Sequence, residues 1–205
     1  MRIIDVTQGT YEWHRFRQGC VTGTTVKSAL GSPKVQETLL YKIVSERMTE
    51  PQIDDLNTPA VRRGTELEPM ARKALIAKTG TNFVEVGMLQ DDTLERFRLS
   101  PDGVEIVDGK VIGGCELKCP DSKKHVEYLL SGVVPKDYIW QVKAPFIMSD
   151  DIKYWTFASF DDRNYECPLF MITVTRADFP EIAGERKEMA RFLARVEEKH
   201  SQLTF

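Results

Sequence analysis

The sequence predicts a mixed α/β fold in which helices flank a central mixed β-sheet. Three observations support this fold class: two helical patterns before residue 80, strand-like segments from 82 to 118, and further helices and strands beyond 118. Such an element order buries the apolar face of each helix against a sheet. With 205 residues, of which 41% are hydrophobic, the chain is expected to form one domain over 1–205.

Two helices are predicted in the first 80 residues. The first covers 34–48, where apolar residues recur at the helical period after Ser32-Pro33. The second begins at Thr58-Pro59, an N-cap followed by a proline, and ends at Gly80. Because Gly64 inside this helix costs about 1 kcal/mol relative to alanine, we expect a bulky group to approach it closely.

The segment 82–118 predicts an antiparallel meander of four strands, over 82–89, 95–100, 103–107 and 110–118. Asp108-Gly109 lies between the last two strands and is a strong hairpin signal. The rest of the chain predicts helices over 122–130 and from about 135, strands over 153–159 and 169–175, and a last helix over 179–200.

The predicted hairpin carries the candidate chemistry, because it brings Asp102 beside Glu116. Side chains alternate along a strand, so Glu116 and Lys118 face one side while Leu117 points into the core. Two carboxylates with a lysine suit metal-assisted hydrolysis of a phosphodiester, since Mg²⁺ prefers carboxylate oxygens and two ions can activate the water and stabilise the leaving oxygen.

In this interpretation each residue of the hairpin has its own role. Asp102 bridges two Mg²⁺ ions, Glu116 binds one of them, and the backbone carbonyl of Leu117 adds a ligand; Mn²⁺ is the alternative ion. Lys118 orients or helps to deprotonate the attacking water and offsets charge on the phosphate. The same pattern also arises by chance among exposed polar residues, so alone it is a hypothesis.

Charge and cysteine content limit the function classes. A net charge of −3 argues against a chain that coats nucleic acid nonspecifically, so any DNA contact must be local. Four scattered cysteines fit reduced thiols better than a disulfide framework. The first ten residues show no leader pattern and no apolar run is long enough to span a bilayer, so we expect a cytoplasmic location.

An ordered series of motifs extends over most of the chain. It comprises Trp13-His14-x-x-Arg17-x-Gly19-x-x-Thr22-x-Thr24, Arg63-Gly64-x-x-x-Glu68, Ser100-Pro101-Asp102-Gly103, Glu116-Leu117-Lys118-Cys119-Pro120, Gln141 and Phe157-Ala158-Ser159-Phe160-Asp161. This series resembles the lambda-exonuclease family (YqaJ-type viral recombinases) of the PD-(D/E)xK nuclease superfamily. The resemblance implies a restriction-endonuclease-like core and a Mg²⁺-dependent exonuclease that digests the 5′-ended strand of linear duplex DNA from 5′ to 3′. Such an enzyme releases 5′ mononucleotides and leaves a 3′ single strand.

The resemblance also implies residue roles. Glu68 and Gln141 join Asp102, Glu116 and Lys118 as catalytic residues, and a pocket for the 5′ phosphate maps onto Arg17, Thr24 and Ser100. Predicted contacts with DNA, or roles in strand separation, fall on Val61, Arg62, Arg63 and Lys124. Lys143 is expected to make the helix near the metals more basic. Implied partners are linear duplex DNA, two further copies in a ring-shaped homotrimer, and a single-strand annealing protein.

Two alternatives remain open. One is another nuclease of the superfamily, such as a RecB-like enzyme; iron-sulfur members of that group need one early cysteine and three late ones, whereas Cys167 is the only late cysteine in this sequence. The other is a noncatalytic DNA-binding subunit with the same fold. The acids and the lysine are all present, which argues against the second alternative.

Overall fold

The computed structural model describes residues 1–51 and 58–204. Within these residues it contains seven α-helices, seven β-strands and one short 3₁₀ turn, and the strands form two sheets. None of the described helices is both long enough and apolar enough to cross a membrane. A single domain over 1–205 and a cytoplasmic location stay predictions.

The larger sheet has four strands in the order β4 (Gly103–Val107), β5 (Lys110–Lys118), β6 (Tyr154–Phe160) and β7 (Leu169–Thr175). β5 and β6 run parallel, whereas the other neighbours are antiparallel, so the sheet is mixed as predicted. A parallel pair needs a long crossover connection. Here that crossover contains α5 (Ser122–Ser131) and α6 (Ile139–Met148).

The smaller sheet corrects the predicted four-stranded meander. It joins β1 (Arg2–Ile4), β2 (Met88–Gln90) and β3 (Arg98–Leu99), so the first half of the expected meander pairs with the N-terminal residues. A single bridge, Val84 to Val104, connects the segment before β2 to the β4–β5 hairpin. Alternating apolar residues identify a strand but not its partner, and no pattern had indicated β1.

The remaining helices are α1 (Tyr11–Arg17), α2 (Val26–Ala29), α3 (Pro33–Glu46), α4 (Pro59–Thr79) and α7 (Ile182–Ser201). The two helices predicted before residue 80 are confirmed as α3 and α4. The side chain of Thr58 caps α4 by accepting from the Val61 N–H, and Gly80 ends it with a φ of 72°. α6 begins at Ile139, later than predicted, and a 3₁₀ turn at Arg176–Asp178 precedes α7. α1 and α2 were not predicted.

Two apolar clusters cover opposite faces of the four-stranded sheet. The smaller joins α4 to the sheet through residues such as Leu75, Leu117 and Phe160. The larger packs α3, α6 and α7 around Trp155 and Phe157. Leu117 is buried on the α4 side, as expected, while its neighbours Glu116 and Lys118 alternate to the opposite side. The end of β5 therefore lies between α4 and the crossover.

Candidate active site

The end of β5 brings together the two acids and the lysine of the hairpin. Gly103 pairs with Cys115, so Asp102 lies next to Glu116, as the hairpin pattern predicted. The Leu117 N–H donates to Asp102 Oδ2 at 2.6 Å, and Lys118 Nζ donates to Glu116 Oε1. Both carboxylates are thus tied to the last residues of β5, which is itself held between β4 and β6.

Negative charge dominates this cluster. Burial raises the pKa of Asp102 well above its usual value, and the neighbouring Glu116 carboxylate raises it further. Burial by itself lowers the pKa of Lys118, but the carboxylates of Glu116 and Asp102 outweigh burial, and the net shift is upward. Lys118 is therefore a cation beside two acids. Its Nζ also lies 5.2 Å from the centre of the Tyr138 ring.

Glu68 reaches the cluster through an arginine one helical turn further along α4. Arg72 Nη2 donates to Glu68 Oε1 at 2.8 Å, and Arg72 Nε donates to the backbone carbonyl of Asp102 at 2.7 Å. A third bond, at 2.8 Å, joins Arg72 Nη1 to Glu85 Oε2. Burial raises the pKa of Glu68, while Arg72 opposes that shift. Arg72 thus connects α4 to the residue before β4.

Sequence reasoning missed Arg72, although the four-residue spacing from Glu68 was a usable signal. The bulky group expected beside Gly64 is not part of the described chain, and its presence stays a prediction. A Cβ built on Gly64 has no atom within 4 Å, so no bulky group of this chain approaches it. The space beside Gly64 lies on the face of α4 that also carries Glu68, one turn away.

A small cavity of about 60 Å³ lies beside the acids. The residues predicted to bind phosphate, Arg17, Thr24 and Ser100, line it together with Glu116 and Gln141. Thr24 comes from the turn before α2, and its Oγ1 lies 3.2 Å from that of Thr22. The structure therefore places residues from distant parts of the sequence around one space that has room for several water-sized groups.

The cavity is lined by a cation that no carboxylate pairs with among the described residues. Burial lowers the pKa of Arg17, and no ion pair joins its guanidinium to a carboxylate within residues 1–51 and 58–204. The guanidinium lies 4.2 Å from the centre of the Trp13 ring. Trp155 also lines the cavity, and its buried Nε1 has no hydrogen-bond partner among the described residues. An anion in the cavity would give the Arg17 guanidinium a partner.

The four predicted DNA contacts have different surroundings. Val61 and Arg62 are exposed near the start of α4. Arg63 donates to Asp161 at 2.7 Å and to Asp162 at 2.8 Å, so it ties α4 to the end of β6. Lys124 pairs with Glu127 at 2.8 Å on α5. A phosphate would compete with these carboxylates for Arg63 and Lys124, whereas Arg62 is exposed.

The expectation for Lys143 is wrong. Its side chain is buried, and its Nζ donates to Glu181 at 2.8 Å and to Glu185 at 2.7 Å. The ammonium also lies 4.2 Å from the centre of the Trp140 ring. The charge of Lys143 is therefore neutralised against α7 and adds nothing basic to the cavity. The sequence could not show this, because the two glutamates lie about 40 residues away.

The donor set suits a hard divalent cation that keeps part of its water. Among the residues that the structure describes, no group of three or more His, Cys, Asp and Glu side chains could hold a metal ion. Asp102 and Glu116 offer carboxylate oxygens, with the charge of a single ammonium between them. Mg²⁺ is commonly bound by one or two carboxylates together with waters and substrate phosphates. Two carboxylates are therefore enough for Mg²⁺, and the site does not need side chains that enclose the ion completely.

Comparison with known proteins identifies the family. A family model described as the YqaJ-like viral recombinase domain matches residues 12–151. The chain belongs to this family. No curated protein matches the chain. The match includes every residue singled out here as catalytic or phosphate-binding.

Solved structures extend the YqaJ-like assignment. The alkaline exonuclease LHK-Exo from Laribacter hongkongensis is 31% identical, with a TM-score of 0.81 over 95% of this chain and 96% of its own. LHK-Exo in complex with dAMP matches with a TM-score of 0.80 and the same identity and coverage. A phage related exonuclease from Haemophilus somnus 129PT is 12% identical, with a TM-score of 0.59 over 90% of this chain and 94% of its own, and shares the fold.

These matches confirm the resemblance seen in the sequence. The fold is restriction-endonuclease-like, as the sequence motifs implied. Membership of the YqaJ-like family and the match to an alkaline exonuclease together support a role as a DNA exonuclease.

Proposed function

We propose that this protein is a Mg²⁺-dependent exodeoxyribonuclease that digests the 5′-ended strand of linear duplex DNA from 5′ to 3′. It releases 5′ mononucleotides and leaves a 3′ single strand for recombination by strand annealing. One observation carries this proposal: the cavity lined by Arg17, Thr24 and Ser100 is also lined by Glu116 and Gln141. In this proposal, the group that holds a strand end lies directly beside the group that cuts. Nucleotide binding by LHK-Exo, solved with dAMP, supports the proposed product class.

The cavity binds the 5′ phosphate in this proposal. The Arg17 guanidinium forms paired hydrogen bonds to phosphate oxygens, and the hydroxyls of Thr24 and Ser100 add directed donors. Because Arg17 is partly buried, a phosphate would meet its charge where water screens it less than at an open surface, and an ionic hydrogen bond is stronger there.

Asp102 and Glu116, with the backbone carbonyl of Leu117, would hold two Mg²⁺ ions, with Mn²⁺ as the alternative. When bound, such ions lower the pKa of a water molecule and stabilise charge on the phosphate oxygens. Lys118 orients the attacking water and offsets charge that develops on the phosphate, which suits an ammonium whose pKa is raised. Glu68 accepts a hydrogen bond from water at the edge of the site. The Gln141 amide faces the phosphate across the cavity.

The DNA path and the assembly complete the proposal. Val61 and Arg62, exposed at the start of α4, contact the duplex end and separate its strands, and Arg63 and Lys124 contact DNA at the cost of their present ion pairs. A ring-shaped homotrimer would enclose the duplex, so that a chain of net charge −3 stays bound to its substrate. A single-strand annealing protein would then bind the exposed 3′ strand.

The decisive experiment is digestion of linear duplexes that carry a label on either the 5′ or the 3′ end, with Mg²⁺ or with EDTA. We expect labelled mononucleotides to appear at once from the 5′ label, the 3′ label to stay in the single strand that is left, and no digestion in EDTA. A covalently closed circular duplex is the control and should stay intact. Early release of the 3′ label would contradict the polarity, and tight DNA binding without digestion would favour the noncatalytic alternative.

The assembly is tested separately by light scattering of the purified protein with and without duplex DNA. A mass close to three chains supports the ring. A single-chain mass in both conditions would contradict it while leaving the assigned chemistry intact.

A further inference from the structure

Trp13 on α1 contacts two of the three residues proposed to bind the 5′ phosphate. Its ring lies against the Arg17 guanidinium, 4.2 Å from ring centre to Cζ. Its Nε1 donates to Ser100 Oγ at 3.1 Å, across 87 positions of sequence. One side chain thus joins a cation on α1 to a hydroxyl just beyond β3.

The contact with Ser100 fixes the direction of a proton. An indole N–H is a donor only, so Ser100 Oγ must accept from Trp13. The hydroxyl proton of Ser100 is then free to be donated elsewhere, and Ser100 lines the cavity that holds Arg17. Without the indole, the hydroxyl could turn and use that proton in another bond, and the cavity would lose a directed donor.

The contact with Arg17 limits the motion of a long side chain. A guanidinium that lies over an aromatic face is attracted by the electrons of the ring and loses fewer orientations when it binds an anion. Trp13 itself is stacked edge to face with His14, with ring centres 4.9 Å apart. The ring is therefore held from a second side.

Trp13 is not a core residue in the usual sense. No residue of α1 is buried, and Trp13 is only partly covered. Its contacts with Arg17 and Ser100 use both the face of the ring and its N–H, and tryptophan offers both.

We propose that Trp13 is a positioning residue that sets the preference of the enzyme for 5′-phosphorylated ends, by holding Arg17 and Ser100 in the arrangement that binds phosphate. This inference rests on the proposed function, because it assigns Trp13 to the phosphate pocket of that same site.

The test compares kcat/KM on linear duplexes with a 5′ phosphate and with a 5′ hydroxyl, and uses their ratio. Trp13→Phe keeps an aromatic face for Arg17 but removes the N–H, whereas Trp13→Leu removes both contacts. We expect the ratio to fall several-fold in Trp13→Phe and at least tenfold in Trp13→Leu, with cleavage of 5′-hydroxyl ends changed less than twofold. Trp140→Phe is the matched control, since Trp140 also lies 4.2 Å from a cation but away from the cavity, and its ratio should equal that of the wild type.

A second readout needs no catalysis. In EDTA, the affinity of each variant for a hairpin DNA with a 5′ phosphate is compared with its affinity for the 5′-hydroxyl hairpin by fluorescence anisotropy. The same loss of preference is expected in both Trp13 variants. If Trp13→Leu fails to fold, the more conservative Trp13→Phe carries the test.

The outcomes separate this inference from the function on which it rests. A wild-type enzyme without preference for phosphorylated ends would refute the phosphate pocket, and the role of Trp13 with it. A wild-type preference that both Trp13 variants retain would refute the role of Trp13 alone. Equal losses on both substrates would assign Trp13 a purely structural role and would also refute it.

Discussion

Asp91 and Asp102 are two carboxylates in opposite environments, only eleven positions apart. Asp91 is almost fully buried and accepts from the N–H groups of Thr93 and Leu94 and from Arg186. Asp102 is bonded to the Leu117 N–H and lies beside Glu116. Burial raises the pKa of both, but the hydrogen bonds to Asp91 outweigh burial and lower its pKa, whereas Glu116 adds to the upward shift at Asp102.

The difference lies in how an arginine is used. Arg186 donates directly to the carboxylate of Asp91, at 2.6 and 3.2 Å. Arg72 donates to the backbone carbonyl of Asp102 and leaves its carboxylate to other partners. A buried carboxylate that accepts hydrogen bonds from several donors stabilises the fold. A carboxylate that lies beside a second carboxylate is repelled by it and attracts a cation. Asp91 is therefore an acid that stabilises the fold, and Asp102 is an acid of the candidate active site.

The largest expected effect is that of Asp102→Asn on activity. Removing this charge should lower Mg²⁺-dependent digestion of linear duplex DNA by at least about 100-fold, because the cation loses a ligand. Folding should be kept, since the substitution relieves repulsion with Glu116. Mg²⁺ should raise the melting temperature of the wild type but not of the variant. Asp108→Asn, in the turn of the same hairpin, is the control and should behave as the wild type.

Asp91→Asn should lower the stability of the protein and leave its activity intact, whereas Asp102→Asn should do the opposite. We expect a loss of about 2 kcal/mol in the free energy of unfolding, less than for a fully buried ion pair because Arg186 is partly exposed. Activity should persist at temperatures where the protein is folded. Denaturant unfolding measures the loss; a stable but inactive variant would overturn the comparison.

The pH dependence of this stabilisation has a definite sign. The folded pKa of Asp91 lies below its unfolded value of about 3.9, so its contribution is present above pH 4 and is lost as pH falls through the folded pKa. The stability difference between the wild type and Asp91→Asn should therefore shrink below about pH 4. A difference that stayed constant to pH 2.5 would show that Asp91 is not stabilised as a carboxylate.

Arg72→Gln should weaken catalysis by about tenfold, because one hydrogen bond to a charged group is worth about 1.5 to 3 kcal/mol and glutamine replaces part of the contact. The variant frees Glu68 and the carbonyl of Asp102, so we expect a higher Mg²⁺ concentration for half-maximal activity. Lys73→Gln, an exposed neighbour on α4, controls for the lost charge. An unchanged Mg²⁺ requirement would show that Arg72 does not organise the acids.

The smallest expected effect is that of Gly64→Ala. Nothing lies within 4 Å of a Cβ at Gly64 or at Gly184, so alanine should stabilise each helix by up to about 1 kcal/mol. If DNA passes close to Gly64 beside Glu68, KM for duplex DNA should rise a few-fold in Gly64→Ala but not in Gly184→Ala. Equal KM values would leave the open space at Gly64 without a role.

Local patterns predicted the parts of the fold and site that depend on neighbours in sequence. The caps of α4, the Asp108-Gly109 turn and the meeting of Asp102 with Glu116 were all readable, since each depends on a few adjacent residues. The strand that pairs with β2 could not be predicted, because alternating apolar residues identify a strand but not its partner. Only the family resemblance grouped the residues of the proposed phosphate pocket, because Arg17 and Ser100 line one cavity from positions 83 residues apart.

The missed contributors share a physical reason. The spacing between Glu68 and Arg72 could be seen in the sequence, but the bond from Arg72 to the backbone carbonyl of Asp102 could not. The unpaired N–H of Trp155 leaves no pattern in the sequence either. Lys143 was misjudged because its partners belong to a helix that packs on α6 from far along the chain.

The crossover between β5 and β6 also divides the protein into two pieces that could be made separately. A break after Gly132, in the connection between α5 and α6, would leave Asp102, Glu116 and Lys118 on the first fragment and Gln141 with β6 and β7 on the second. The parallel pairing of β5 with β6 is then the joint where the fragments meet. Neither fragment alone would contain all the residues that line the cavity, so nuclease activity would report on their reassembly.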